Sequence, residues 1–148
     1  MARQNTNPVR SNPTHPAAYV AWAQALAATS GSLYFSEAAG YLPCLLCWYQ
    51  RIAMYPLVVI LAVGILRRDA KMYQYALPLA IIGALVALYH VLLYYGVFPE
   101  SEQTCRAGVS CTTEYIEYLG FITIPLLSLV SFLVIIGCMM LLWKAARR

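Results

Sequence analysis

Residues 43–66 read PCLLCWYQRIAMYPLVVILAVGIL, which places two cysteines and an arginine at the edge of a long apolar run. A run of about 20 apolar residues is long enough to cross the hydrocarbon core of a bilayer. The composition agrees, because 61% of the 148 residues are hydrophobic and only 11% are charged. Soluble domains are roughly 45–50% apolar and about 25% charged. The sequence therefore predicts an integral membrane protein.

Four apolar runs of this kind can be found along the chain. The first covers 17–35 and is diluted by polar residues, and the others cover about 45–66, 73–95 and 121–143. Together they use most of the sequence and leave no room for a soluble domain. We therefore expect an all-α integral membrane protein that folds as a bundle of four transmembrane helices.

The basic residues predict the orientation of this bundle, because Lys and Arg in short loops favour the cytoplasmic side. With four spans, both termini and the middle loop share one side, which then holds every Lys and Arg except Arg51 and Arg106. Both termini are thus predicted to be cytoplasmic. The net charge of +4 is explained by this topology, and nothing supports a nucleic-acid partner.

The domain organisation follows from the topology. Residues 17–143 are expected to form the membrane domain, with outer loops at about 36–44 and 96–120. Residues 1–16 are polar and proline-rich, which predicts a disordered cytoplasmic tail. Residues 144–148 are expected to form a basic cytoplasmic tail.

Four of the five cysteines lie in or beside the predicted outer loops, on the side where disulfides persist. Cys44 and Cys47 form a CxxC pair, and Cys105 and Cys111 lie in the second outer loop. Cys138 differs because it lies inside the last span, where a lone cysteine usually acts as a small apolar residue. The other four cysteines are the candidates for redox chemistry.

The CxxC pair has local chemistry that favours a thiolate. If the second helix begins near Pro43, the pair occupies its first turns, where the helix dipole stabilises an anion. Arg51 follows Cys47 by four residues and therefore lies on the same helix face, one turn deeper. An arginine near a helix end can also snorkel to the interface, but the cost of an ionisable residue inside a span favours a functional role.

His90 lies inside the third span, about five residues from its outer end, which is roughly 7–8 Å below the surface. Arg51 is expected at a similar depth, roughly 10 Å. A lone histidine could be satisfied by a carbonyl or a tyrosine. Its shared depth with Arg51 and Cys47 instead suggests a pocket for a lipid-soluble ligand with polar carbonyl groups.

Three explanations of the cysteines compete. A structural zinc site is disfavoured, because its ligands are usually spaced C-x₂₋₄-C and the segment CRAGVSC, residues 105–111, is too long; no metal site is expected. Two inert disulfides in a non-catalytic membrane scaffold remain an alternative, although a CxxC at a helix start beside an arginine is easily reduced. A redox relay explains both pairs on one side of the membrane.

The segments GSLYFSE (31–37), PCLLCWYQRIAMYPLVVIL (43–61) and GFITIPLLSLVSF (120–132) closely resemble the DsbB family of bacterial membrane thiol–disulfide oxidoreductases, in particular its BdbC-type branch. The resemblance covers roughly residues 17–143. It implies an enzyme of the bacterial cytoplasmic membrane with its active cysteines on the extracytoplasmic side. Such an enzyme reoxidises a DsbA-like thioredoxin-fold protein and passes two electrons to a quinone, either menaquinone or ubiquinone.

The resemblance also implies a role for each cysteine by its position. Cys105 would form the mixed disulfide with the thioredoxin-fold partner. Cys111 would resolve that disulfide and exchange with Cys44. Cys47 would be the thiolate that touches the quinone.

Arg51 would assist the quinone-side thiolate, and His90 matches the third-helix histidine that the family has near its quinone. Two features depart from the well-known DsbB proteins. The cysteines of the second pair, at 105 and 111, are only six positions apart, which leaves the order of exchange open. Gln50 stands where those proteins often have an acid. The four-helix vitamin K epoxide reductases are a second family with a weaker resemblance.

Overall fold

The structure is a computed structural model that describes residues 16–97 and 123–147. All regular secondary structure in these residues is helical. The four long helices are α1 (Pro16–Leu33), α2 (Leu45–Leu66), α3 (Tyr73–Tyr94) and α4 (Ile124–Ala146). A five-residue π-helical segment, Tyr34–Ala38, continues α1.

Three of these helices, α2, α3 and α4, are long and apolar enough to cross a membrane. The fourth, α1, is shorter and carries polar residues such as Gln24, Thr29 and Ser30. The expectation of a helical membrane bundle is therefore confirmed. A membrane-spanning α1 and a cytoplasmic position of both termini stay predictions.

The helices form an antiparallel bundle in which each packs against two neighbours. The helices α1 and α3 both contact α2 and α4, whereas α2 and α4 barely touch. At one end, Gly64 of α2 lies beside Met72, directly before α3. At the other end, Gln50 of α2 contacts His90 of α3. We call this second end, which also carries Cys44, the CxxC end of the bundle.

Small residues let the helices pack closely, as they do in membrane bundles generally. Completely buried alanines recur at intervals of three, four or seven residues on α1 and α3, which places them on one face of each helix. They are Ala18, Ala21, Ala25, Ala76, Ala80 and Ala87. They share one core cluster with bulky side chains of α2 and α4 such as Leu57, Leu61 and Phe132. Gly83 shows how tight this packing is, because a Cβ atom there would overlap the ring of Phe132.

Large apolar side chains also cover the outside of the bundle. Ile52, Val59, Leu85 and Leu133 are each more than half exposed. A contiguous apolar exterior of this kind is rare on soluble monomers and marks surface that faces lipid or a partner. The exterior therefore agrees with a bundle embedded in a bilayer.

A short turn between α2 and α3 fixes their antiparallel arrangement. Arg68 adopts a left-handed conformation with φ 53°, and the Asp69 N–H donates to the Gly64 carbonyl at 2.9 Å, as in a Schellman motif. The Asp69 carboxylate accepts hydrogen bonds from the Lys71 N–H at 2.8 Å and the Tyr75 hydroxyl at 2.7 Å. Both helix ends at this turn are thereby satisfied.

The predicted tails and loops overlap only partly with the described residues. The π-helical segment extends into the predicted first loop, 36–44, so only its second part is irregular. The helix α4 continues to Ala146, so its last turn includes Lys144 of the predicted tail at 144–148. Residues 1–15 of the predicted tail at 1–16, and residues 98–120 of the predicted loop at 96–120, lie outside the described residues.

Candidate functional site

The first cysteine of the CxxC pair is the N-cap residue of α2. Cys44 has extended backbone angles (φ −68°, ψ 172°), and its sulfur accepts a hydrogen bond from the Cys47 N–H at 3.4 Å. The helix begins two residues after Pro43, close to the predicted start. Because the positive end of the helix dipole lies here, a thiolate at Cys44 is stabilised by the backbone of α2.

The two cysteines face each other without a covalent bond. Their sulfurs are 2.9 Å apart, close enough for a hydrogen bond in which either one is the donor. Cys44 is only 4% exposed, and Cys47 is half-buried. The pair therefore has the proximity that interconversion between dithiol and disulfide requires.

His90 connects this pair to α3. Its Nε2 lies 3.8 Å from the sulfur of Cys44, and its Nδ1 lies 2.9 Å from the amide nitrogen of Gln50. His90 and Gln50 are 2% and 6% exposed. In this arrangement the amide donates to Nδ1, so a neutral His90 carries its proton on Nε2, facing Cys44. A half-turn of the amide would offer an oxygen to Nδ1 and favour the other tautomer.

The sequence does not predict Gln50 as a site residue. In the sequence, Gln50 is only a departure from the family pattern. Its spacing carries a signal nonetheless. On a helix, Cys47 and Gln50 are three residues apart and lie on one face. An amide at this spacing inside an apolar run needs a buried polar partner, and the structure identifies that partner as His90.

Arg51 is held by α1. Its Nε donates to the Ser32 hydroxyl at 2.9 Å, and its Nη2 donates to the Ser32 carbonyl at 3.1 Å. Its guanidinium also lies 5.4 Å from the centre of the Trp48 ring. Ser32 lies in the last turn of α1, so the packing of α1 against α2 positions this contact. These contacts fix the charge of Arg51 near the pair and leave its Nη1 without a hydrogen bond to any described residue.

A cavity of about 340 Å³ lies between the helices at the CxxC end. Cys44, Cys47, Gln50, Arg51 and His90 all line it. Sites for small molecules typically occupy roughly 300–1,000 Å³. One space of suitable size is therefore in contact with every predicted site residue that the structure describes.

The wall of the cavity contains polar groups that lack a hydrogen-bond partner among the described residues. The hydroxyl oxygens of Tyr55 and Thr123 are buried and make no hydrogen bond with the described residues. Thr123 is only 3% exposed. Deeper in the cavity, Gln24 donates to the Ser131 hydroxyl at 3.0 Å. Since buried polar groups normally have partners, the unsatisfied hydroxyls favour a ligand with hydrogen-bonding atoms.

The structure thus brings four of the predicted site residues together: Cys44, Cys47, Arg51 and His90. The other two cysteines, at 105 and 111, lie outside the described residues, so their roles stay predictions. Cys138 is buried in the core cluster, as expected for a small apolar side chain.

A largely buried CxxC pair within a helical membrane bundle is the arrangement of a membrane thiol–disulfide protein. The family model described as "Disulfide bond formation protein DsbB" matches residues 14–142. The chain belongs to this family.

Three similar proteins cover most of the chain. Disulfide bond formation protein C of Bacillus subtilis is 48% identical over 124 residues, which is 84% of this chain and 90% of the relative. Probable disulfide formation protein C 1 of Bacillus anthracis is 44% identical over 129 residues, which is 86% of this chain and 92% of the relative. Probable disulfide formation protein of Metapseudomonas resinovorans is 42% identical over 130 residues, which is 87% of this chain and 90% of the relative. No solved structure gives a significant match.

These comparisons confirm the resemblance to the DsbB family, and the relatives named disulfide formation protein C confirm its BdbC-type branch. They support disulfide bond formation by a membrane thiol oxidoreductase.

Proposed function

We propose that this protein is a quinone-dependent thiol oxidase of the bacterial cytoplasmic membrane. It reoxidises an extracytoplasmic, DsbA-like thioredoxin-fold protein and passes two electrons to a membrane quinone. The observation that carries the proposal is the single cavity shared by the CxxC pair, Gln50, Arg51 and His90.

The residues of the cavity fit a quinone, which is a flat apolar ring with acceptor oxygens at opposite edges. The Nη1 of Arg51 and the hydroxyls of Tyr55 and Thr123, none of which bonds to another described residue, are donors for such oxygens. Met54 and Ala28 supply apolar wall. A quinone bound here would accept the two electrons and two protons that are released when the dithiol becomes a disulfide.

Cys47 is proposed as the thiolate on the quinone side, as in the family. It is the more exposed of the two cysteines, and it shares the cavity with Arg51. The contacts of Arg51 with Ser32 and Trp48 keep a positive charge at this depth without neutralising it. That charge would stabilise both a thiolate at Cys47 and a negatively charged acceptor oxygen.

His90 and Gln50 are proposed to handle the proton of Cys44. With its proton on Nε2, His90 donates to a Cys44 thiolate; in the other tautomer, its Nε2 accepts the thiol proton. The Gln50 amide can pair with Nδ1 in both cases, because it offers a donor and an acceptor. An ionised acid at position 50 could only accept, so it would favour the second tautomer alone. Gln50 is therefore a positioning residue for His90.

The partner side of the reaction is proposed from the family. Cys105 would form the mixed disulfide with the thioredoxin-fold protein, and Cys111 would resolve it and exchange with Cys44. The same proposal places both termini in the cytoplasm and the cysteines outside it, with α1 as the fourth span. The 18 residues of α1 extend about 27 Å, close to the roughly 30 Å of a bilayer core.

Thiol trapping in membranes tests the proposal against a scaffold with two structural disulfides. After quinone depletion and addition of the reduced thioredoxin-fold partner, Cys44 and Cys47 should accumulate as a dithiol that alkylating reagents modify. Adding quinone should restore the disulfide. A Cys44–Cys47 disulfide that persists without quinone would favour the scaffold. The experiment is carried out in a Cys138→Ala background, because this change removes a thiol outside the CxxC pair that would also be alkylated.

A further inference from the structure

Cys44, Cys47 and His90 form a cluster of three metal-ligating side chains. Each offers one ligand atom, and these atoms all lie within 4.8 Å of one another. Two of the side chains are buried and one is half-buried. This set differs from the four-cysteine zinc site that the sequence disfavours, because it needs neither cysteine of the second outer loop.

One distance in this cluster already matches a tetrahedral zinc site, and small side-chain movements would bring the other ligand atoms to it. With Zn–S near 2.3 Å and Zn–N near 2.0–2.1 Å, neighbouring ligand atoms are roughly 3.5–3.8 Å apart. Cys44 Sγ and His90 Nε2 are already 3.8 Å apart. The two sulfurs, at 2.9 Å, need to separate by less than about 1 Å. A side-chain rotation at the half-buried Cys47 would achieve this without moving α2.

Gln50 supplies the supporting contact that a zinc-bound histidine requires. Such a histidine almost always donates its second ring N–H to an acceptor. The Gln50 amide already contacts His90 Nδ1 at 2.9 Å, and a half-turn would place its oxygen there. The ligand histidine would then be oriented by a buried hydrogen bond.

The charges also balance. Two thiolates, a neutral imidazole and Zn²⁺ form a neutral unit, which a membrane-buried site tolerates far better than a free dithiolate. Binding would release the two thiol protons to solvent. Arg51, a cation of the same cavity, is turned towards Ser32 and Trp48. The fourth position is left for water or an anion in the cavity.

We propose that the reduced protein binds Zn²⁺ through Cys44, Cys47 and His90, and that oxidation of the pair abolishes this site. A disulfide has no thiolate to offer, so only one redox state can bind. Bound Zn²⁺ would hold the pair reduced and block its oxidation by any acceptor. The site depends on this geometry and not on whether the acceptor is a quinone.

The test uses the full chain with Cys105→Ser, Cys111→Ser and Cys138→Ala, so that only the CxxC thiols remain. Zn²⁺ is titrated anaerobically against a competing chelating indicator. The reduced protein should bind about one Zn²⁺ per chain, and the chemically oxidised protein should bind at least about a hundredfold more weakly. Equal binding by both states, or no binding by the reduced state, would overturn the proposal.

Two variants test the ligand His90 and the contact that supports it. Gln50→Leu should weaken binding by about tenfold to a hundredfold, the usual effect of losing an outer contact to a ligand histidine, and His90→Leu should weaken it further. Gln24→Leu is the matched control, because this amide lines the same cavity but bonds to Ser131. Unchanged affinity in His90→Leu would refute the three-residue site.

X-ray absorption at the zinc edge gives a readout that needs no change at His90. The proposal predicts two sulfur ligands and at least one imidazole nitrogen in the reduced protein. A first shell without sulfur, or without imidazole, would overturn it even if His90→Leu does not fold.

Discussion

The two ends of the bundle are built from the same four helices but differ in what they bury. Within the described residues, the four buried polar side chains, Gln50, His90, Thr123 and Ser131, all lie in the CxxC half. The opposite half buries alanines against large apolar side chains such as Leu61 and Met139. One half is a polar cavity, and the other is a tightly packed core.

The residues that hold the helices together are therefore different from those proposed to carry the reaction. Close packing through Gly83, Phe132 and the alanines of α1 and α3 fixes the helix positions. Unsatisfied hydroxyls and a buried imidazole cost free energy, so a helix bundle tolerates them only where other contacts compensate. Changes at the polar residues of the CxxC end should therefore alter activity, and changes at the packing contacts should alter stability.

The largest effect is expected at the cysteines. Cys44→Ser or Cys47→Ser should abolish oxidation of the partner, since serine cannot form a disulfide, while the helical content and unfolding temperature stay close to those of the unchanged protein. Turnover with reduced partner and quinone is the measurement. Cys138→Ala serves as the control and should retain turnover. Activity that survives in both serine variants would show that the CxxC pair takes no part in the reaction.

A large but partial effect is expected at His90 and Gln50. His90→Leu should lower kcat by about 10²–10⁴-fold, the typical contribution of a positioned acid–base group. Gln50→Leu should lower kcat less, and Gln50→Glu should recover part of the loss because it restores an acceptor for Nδ1. The KM for quinone should change little in the Gln50 variants. Equal kcat in Gln50→Leu and Gln50→Glu would mean that the amide does not act through His90.

Arg51 should affect the acceptor more than the fold. Arg51→Ala removes the fixed charge and the Nη1 donor, so the KM for quinone should rise by about tenfold or more, in line with the loss of a charge-assisted hydrogen bond. Arg51→Lys should recover only part of this loss, because an ammonium lacks the planar fork with which Arg51 holds Ser32 at two atoms and keeps Nη1 in a fixed position. An unchanged apparent affinity for quinone in Arg51→Ala would rule out the proposed role.

The smallest effect is expected at the packing contact between α3 and α4 in the middle of the bundle, on stability alone. Gly83→Ala places a methyl group against the ring of Phe132, which should cost about 1–3 kcal/mol. Gly137→Ala is the matched control, since nothing lies within 4 Å of its added methyl group and alanine favours a helix. Unfolding of both variants in detergent gives the comparison. Gly83→Ala that is as stable as Gly137→Ala would contradict the tight α3–α4 contact.

Much of the fold can be predicted from the sequence, because apolar runs long enough to cross a bilayer show where α2, α3 and α4 lie. The polar face of α2 is also predictable, since Cys47 and Arg51 are one turn apart. The Ser32 contact of Arg51 could not be predicted, because it depends on how α1 packs against α2. Likewise, the pairing of Gln50 with His90 joins residues 40 positions apart, and no local pattern specifies it.

The most direct test of the central claim is a single anaerobic turnover at the CxxC end. Purified protein with the Cys44–Cys47 pair reduced is mixed with increasing amounts of a soluble quinone, and the remaining thiols are alkylated after rapid quenching. The account predicts that the pair is oxidised to a disulfide at a rate that saturates with quinone concentration, and that Arg51→Ala shifts this saturation to higher concentrations. A dithiol that stays reduced, or a rate that never saturates and is the same in Arg51→Ala, would contradict it.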